Sequence, residues 1–295
     1  METRLGHDLH RLIAPNPSPM TGQGTNTYIL GCKECVVIDP GPADPDHLAA
    51  ILRVVAQIGP LRHILVTHSH LDHSPLARNL SEVTGAEILA FGDTLAGRSE
   101  QMTRLAQAGL SGGGEGVDIE FQPDRTLADG AALTLEGEDI RAIWTPGHFG
   151  NHMCFGWRDA VFSGDHVMGW ASSLISPPDG DLGAYMRSLD RLEAMRPCRL
   201  YPGHGDVVEN PAERIAELRR HRQARDVAIR ACLARAPHRI DQLVTEIYAD
   251  TPHALHPAAG RNVFAHLLDL AARGMVEGVP TLRPEATFRL IRTDL

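Results

Sequence analysis

No apolar run in this 295-residue chain approaches the roughly 20 residues that span a bilayer, which excludes a helical membrane protein. The opening residues, METRLGHDLHRLIAPNPSP, lack a basic segment followed by an apolar stretch. No secretory leader is therefore expected, and the cytoplasm is the expected location. Cysteine is scarce: five residues, at 32, 35, 154, 198 and 232, are an odd number and too few for a disulfide scaffold. Reduced thiols are expected. The CxxC at Cys32–Cys35 has no second pair to complete a zinc site and falls at a hairpin turn, so it reads as coincidence. Aromatic residues make up only 5% of the chain and form no visible platform for stacking bases. Lysine is missing altogether from residues 213–295, where 13 Arg face 10 acidic residues. The rest of the chain has 15 bases against 27 acids, within an overall formal charge of -9. A body that acidic repels a polyanion unless bound metal and local basic groups offset it.

What is present is an ordinary globular composition, 43% hydrophobic and 22% charged, long enough for one large core and a small second domain. Through about residue 210, short β-branched runs alternate with amphipathic stretches. Strands are predicted at 28–30, 35–39, 63–67, 87–91, 119–122, 132–135, 139–144, 153–157, 160–163 and 199–201. Helices are predicted at 45–58, 76–84, about 99–108 and 182–195, and the Gly-rich run GLSGGGEG at 109–116 reads as a loop. Two groups of strands with helices between them imply an α/β fold, two sheets face to face with helices outside. After Pro211 come three helices, 211–235, 240–248 and 257–273, and two short strands, a winged-helix-type pattern. The expected division is a catalytic domain at 1–210 and a C-terminal domain at 211–295.

The run THSHLDHS at 67–74 puts His68, His70, Asp72 and His73 directly after a buried strand. H-x-H-x-D-H spacing in a tight loop aims alternate side chains at two neighbouring cations, and Zn²⁺ accepts both imidazole nitrogen and carboxylate oxygen. Four ligands cannot complete two ions, so others are required downstream. TPGH supplies His148, SGD supplies Asp165 and PGHG supplies His204, each after an apolar strand and beside Gly or Pro. Any one of them alone is more simply an ordinary histidine or aspartate. Seven such residues in four strand-end loops point to two zinc ions, with Mn or Fe also compatible with the donor set.

THSHLDH, TPGH, SGD and PGHG, in that order, resemble the metallo-β-lactamase superfamily over about residues 10–210. The resemblance implies a four-layer αβ/βα sandwich. It assigns His68, His70 and His148 to one metal and Asp72, His73 and His204 to a second, with Asp165 bridging. The implied chemistry is hydrolysis by a hydroxide shared between two metals, oriented by Asp72 or Asp165. Asp39, in VVIDPG, falls where the family has an aspartate beneath the metal loop, although a turn-capping role accounts for it equally well. His152 and His166 are candidates to support ligands from behind.

The ligand set narrows the branch. Diiron reductases of the superfamily carry Glu where this chain has His70, and β-lactamases lack the bridging Asp165. NPSPMTGQGTNTYIL, GDHVMGW and SPPDGDLGAYMRSLDRL are similar to the beta-lactamase-like protein 2 family, whose mitochondrial member is a single-strand endoribonuclease. Phe149-Gly150-Asn151 departs from that family's pattern after TPGH. Three readings follow: cleavage of single-stranded RNA, hydrolysis of a small thioester or lactone, or a non-catalytic RNA- or protein-binding module kept folded by metal. The arginines of 211–235 are either a phosphate-binding face or a solvated, ion-paired and docking helix, and the overall acidity favours the second. Asn26, Phe149, Trp170, Ser172 and Ser173 lie on loops expected to frame the pocket. No membrane partner is expected, and the sequence sets no oligomeric state.

Overall fold

The computed structural model describes residues 2–291. Its first sheet has seven strands in chain order: β1 (Glu2–Arg4), β2 (Leu9–Ile13), β3 (Asn26–Leu30), β4 (Cys35–Ile38), β5 (Leu61–Leu65), β6 (Glu87–Ala90) and β7 (Arg125–Thr126). β1 to β4 form an antiparallel meander, and β4 to β7 run parallel, because helices supply the crossovers. The second sheet comprises β8 (Ala132–Leu135), β9 (Glu138–Trp144), β10 (Met153–Trp157), β11 (Ala160–Gly164) and β12 (Arg199–Pro202), ordered β12-β11-β10-β9-β8.

Period-2 alternation places the inner strands in two cores at once. Tyr28 and Leu30 of β3, Val36 and Ile38 of β4, and Met153, Phe155 and Phe162 across the gap fill the space between the sheets. Ile29, Cys35 and Val37 point the other way, against α1 (Pro45–Ile58) and α2 (Leu76–Thr84). Cys154, Val161 and Leu200 likewise face outward beneath α4 (Leu182–Met195), α3 being the short helix Glu100–Gln107. This is the four-layer sandwich expected from the motifs. Local signals fix the helix starts: Asp44 caps α1 by accepting from the His47 amide at 2.7 Å, with Pro45 in the first turn. Asp181 does the same for α4 through the Ala184 amide at 2.9 Å.

α5 (Pro211–Arg235) joins the sandwich to the C-terminal winged-helix domain. Ile215 and Leu218 pack in the outer core beneath the second sheet. Further along α5, Ile229, Cys232 and Leu233 pack with α6 (Ile240–Ile247), α7 (His256–Ala272) and the hairpin β13–β14 (Val276–Val279, Thr287–Leu290). One correction concerns the predicted strand at 119–122, which is a turn and extended loop. Phe121 is buried against the first sheet's outer face, so its apolar character reflects packing of a loop rather than strand pairing. The N-terminal strands β1 and β2 were not predicted. No helix among the described residues is long and apolar enough to cross a membrane.

The fold also buries histidines away from the metal loop. His47, paired with Thr27 Oγ1 at 2.8 Å, is pushed down to about 4 by burial, against the opposing pull of Asp44. Its folded pKa thus lies below the roughly 6.5 of a free imidazole. The unfolded chain takes up a proton that the fold refuses, so stability is lost as pH falls from about 6.5 towards 4. His47→Gln is expected to reduce that dependence by up to about 1.4 kcal/mol per pH unit across the window. Urea melts of both proteins across this window check it, and equal slopes would refute it.

Candidate metal centre

β5 ends at Leu65, and the chain turns through residues 66–74 at the C-terminal end of this inner strand. The turn closes on itself, with the His73 and Ser74 amides donating to the His70 carbonyl at 3.0 and 3.1 Å. Beneath it, Asp39 accepts from the Thr67 amide and hydroxyl, both at 2.7 Å, and Asp39 Oδ2 lies 2.9 Å from His73 Nδ1. Asp39 therefore ties the loop to the end of β4 and sets the His73 ring, which goes beyond capping a turn. Ser74 Oγ donates to Asp118 at 2.7 Å and holds the far side.

Three later loops meet this one. His68, His70, His148 and Asp165 present ligand atoms within 4.8 Å of one another, and Asp72, His73 and His204 form a second such group. His68 Nε2 lies 2.8 Å from His70 Nδ1, His148 Nε2 3.1 Å from the same Nδ1, and His73 Nε2 3.3 Å from His204 Nε2. These spacings approach the tetrahedron edge of about 3.3 Å set by metal–nitrogen bonds of about 2.0–2.1 Å. Asp165 faces both groups: Oδ2 is 3.7 Å from His148 Nε2 and 3.3 Å from His204 Nε2, and Oδ1 is 3.5 Å from His73 Nε2.

The electrostatics separate the two groups. Burial, reinforced by neighbouring imidazoles, holds His68 well below the usual histidine range and His70 down at about 3, so their lone pairs are free. His148 Nδ1 sits 2.8 Å from the Leu174 carbonyl, which assigns the proton there and the lone pair to Nε2. In the second group burial opposes charge, but the nearby carboxylates more than offset it. His73 is raised well above its ordinary value, and His204 to about 10. Burial likewise works against Asp72, yet His73 and His204 hold it down at about 2. No Lys or Arg among the described residues forms an ion pair with Asp72 or Asp165, and one oxygen of each, Oδ1, is buried without a hydrogen-bond partner. Buried carboxylates with unmatched lone pairs need positive charge nearby. A pair of divalent cations fits this donor set.

Glycines make the close approach possible. A Cβ on Gly203 would lie 2.4 Å from Asp165 Oδ1 and 2.7 Å from His73 Cε1.

Residues 20–204 match the metallo-beta-lactamase superfamily, and residues 240–281 match the beta-lactamase associated winged helix domain. The chain belongs to the metallo-β-lactamase superfamily. It is 32% identical over 284 residues to the beta-lactamase-like protein 2 homolog of Drosophila melanogaster, covering 92% of this chain and 90% of that one. The atrochrysone carboxyl ACP thioesterase of Aspergillus fumigatus is 32% identical over 234 residues, covering 74% of this chain and 63% of that one. Among solved structures, a metallo-β-lactamase family protein from Thermus thermophilus superposes with TM-score 0.76 at 25% identity, over 98% of this chain and all of that one. The superfamily centre expected here is a hydrolytic one, and this chain carries the candidate two-metal site for it.

Over both metallo-β-lactamase ligand groups opens a recess of about 80 Å³, lined on its apolar side by Pro19, Met20, Met168, Ala171 and Leu174. Of the five predicted contact residues, Trp170 and Ser172 line it. The other three stand behind it, and this is a correction. Asn26 is buried and donates to the Pro202 and Gly205 carbonyls at 3.0 and 2.8 Å, which pins the His204 loop. Phe149 packs edge-on against His70 at 4.9 Å between centroids. Ser173 is buried, with its hydroxyl donating to the Asp165 and His166 carbonyls. His152 packs 5.2 Å from the His68 ring and is held by Thr145 at 2.9 Å. The lining residues missed are Pro19, Met20, Gly114, Glu115, Met168, Ala171 and Leu174. The motif containing the first two was visible, but its return to the metal loop depends on tertiary packing.

Proposed function

We propose that this chain is a zinc-dependent hydrolase of small acyl thioesters or esters. In this reading residues 1–210 carry the chemistry and residues 211–295 support it. The observation that carries the substrate class is the recess itself: narrow, largely apolar, and poor in groups for a polyanion. The arginines of α5 do not supply such groups. Arg219 pairs with Asp190 and Glu193, Arg230 with Asp226, and Arg235 with Glu246. Arg214 and Arg222 turn inward onto backbone carbonyls, Arg225 caps Ile247 and stacks on Tyr248, and Arg220 is the exposed exception.

Zinc suits five imidazoles and two carboxylates, and two ions held by them would supply Lewis-acid activation of water and of the bond to be cleaved. Asp72 and Asp165, each with a buried unpartnered oxygen, would hold positive charge at the centre and orient the attacking water. Outside the ligand groups, Glu115 is the one carboxyl lining the recess, and it is bound to Ser18 Oγ at 2.7 Å. A thiolate, with a parent pKa near roughly 8.5, departs without a proton, so a thioester makes the least demand on such a site. Similarity to a thioesterase supports the same class.

Single-strand RNA cleavage is the second reading, favoured by Trp170, which stands 47% exposed at the recess and offers a face for one base. Zinc-replete protein assayed on a series of acyl thioesters and on labelled single-stranded RNA separates them. Thioester turnover abolished by chelator is expected. RNA cleavage with every thioester untouched would replace this reading with a nuclease, and binding without turnover of either would indicate a non-catalytic module.

A further inference from the structure

Residues 168–176 form one wall of the recess, with Met168, Trp170, Ala171, Ser172 and Leu174 facing it. This segment carries no regular secondary structure, so its peptide groups need partners from elsewhere. They come from helices that follow the sandwich. Arg214 of α5 donates to the Met168 and Ala171 carbonyls, both at 2.7 Å. Arg222 of α5 donates to the Ser173 carbonyl and, at 3.0 Å, to Asn262 Oδ1 of α7. The same Asn262 oxygen accepts from the Ile175 amide at 3.1 Å. Arg222 and Asn262 thus grip the backbone on both sides of Leu174, whose carbonyl faces His148 Nδ1 at 2.8 Å.

Arg222 is a costly residue to keep for stability alone. It is 2% exposed, and among the described residues no carboxylate lies within ion-pair distance. Its Nε has no hydrogen-bond partner among the described residues, and its other contacts are two neutral oxygens and the Tyr185 ring at 5.3 Å, a weak return for burying a charge. Its fork geometry, with two donors at a fixed angle, is what apolar packing cannot supply.

We propose that Arg222 and Asn262 are positioning residues for His148, acting through the Leu174 carbonyl to aim its Nε2 at the first ligand group. The proposal rests on the metal-hydrolase reading above. It also gives the winged-helix domain a task in this chain: to hold an imidazole in place from behind, selectively for one of two ligand groups. The side chains of the second group are held from elsewhere, His73 by Asp39 just after β4 and His204 by the Gly24 carbonyl.

The test is titration of Zn²⁺ into the full-length metal-free protein against a chromophoric chelator, resolving two equivalents. His148→Ala and His204→Ala identify which equivalent belongs to which group. Asn262→Leu and Arg222→Met are expected to weaken the His148 equivalent by about 10- to 100-fold and leave the His204 equivalent unchanged. Asn262→Asp keeps the acceptor for both Ile175 and Arg222, and is expected to retain wild-type affinity. If Arg222→Met does not fold, the two Asn262 variants decide. Two unaltered equivalents in folded Asn262→Leu, or equal weakening of both, would overturn the positioning role. Failure of the wild-type chain to bind zinc at all would instead overturn the metal reading beneath it.

Discussion

Asp165→Ala is expected to lower turnover by about a thousandfold or more, equivalent to about 4 kcal/mol of transition-state stabilisation. Asp165 is the side chain that faces both ligand groups, within 3.3–3.7 Å of His148, His204 and His73. Truncating it removes the carboxylate that the two groups share. The loss should therefore appear in metal content as well as rate, with fewer than two equivalents retained after dialysis. The fold should survive, because Asp165 contributes no apolar packing, and removing it relieves the proximity of two buried carboxylates. Turnover by zinc-replete protein and elemental analysis on the same sample are the measurements. Full activity with two bound equivalents would remove Asp165 from the centre and the two-metal argument with it.

The largest stability effect is expected from a glycine. Gly147, in the TPGH motif, has φ of +141°, and a Cβ there would lie 2.2 Å from Tyr185 Cα and 2.4 Å from Tyr185 N. The obstacle is the backbone of α4, which cannot rotate away as a side chain would. Gly147→Ala thus combines an unfavourable backbone conformation with a forced displacement of α4, at a cost of about 3–5 kcal/mol. It also moves the adjacent His148. Denaturant melts should show a large fall in midpoint, with weakened binding at the first ligand group in whatever fraction remains folded. A variant within about 1 kcal/mol of wild type would show that the loop and α4 are not in the close contact described.

The buried Arg222 and the tight Gly147 share a cause. Four loops must converge on a space that the sheets only border, and each is held from behind. Asp39, just after β4, holds the first loop, Asn26 from β3 the His204 loop, Ser173 the Asp165 turn, and Leu174 the His148 ring. Some of these contacts join residues far apart in the chain. Asn26 and Gly205, for example, are separated by 179 positions.

That separation marks the boundary of what could be read in advance. Strand alternation, Pro and Asp at helix starts, and His or Asp beside Gly after apolar strands are local patterns, legible because a strand's period and a ligand's chemistry are properties of neighbouring residues. From these alone the sandwich and all seven ligand-type residues were accessible. The sides on which Asn26, Phe149 and Ser173 point were not, since a loop residue carries no periodicity to say whether it faces the recess or the packing behind it. Nor was the fate of the α5 arginines. A row of Arg on a helix reads the same whether it meets phosphate, water or a neighbouring carbonyl, and only the docking of α5 onto residues 168–176 and against α4 decided it, because that docking brings the acceptors within reach.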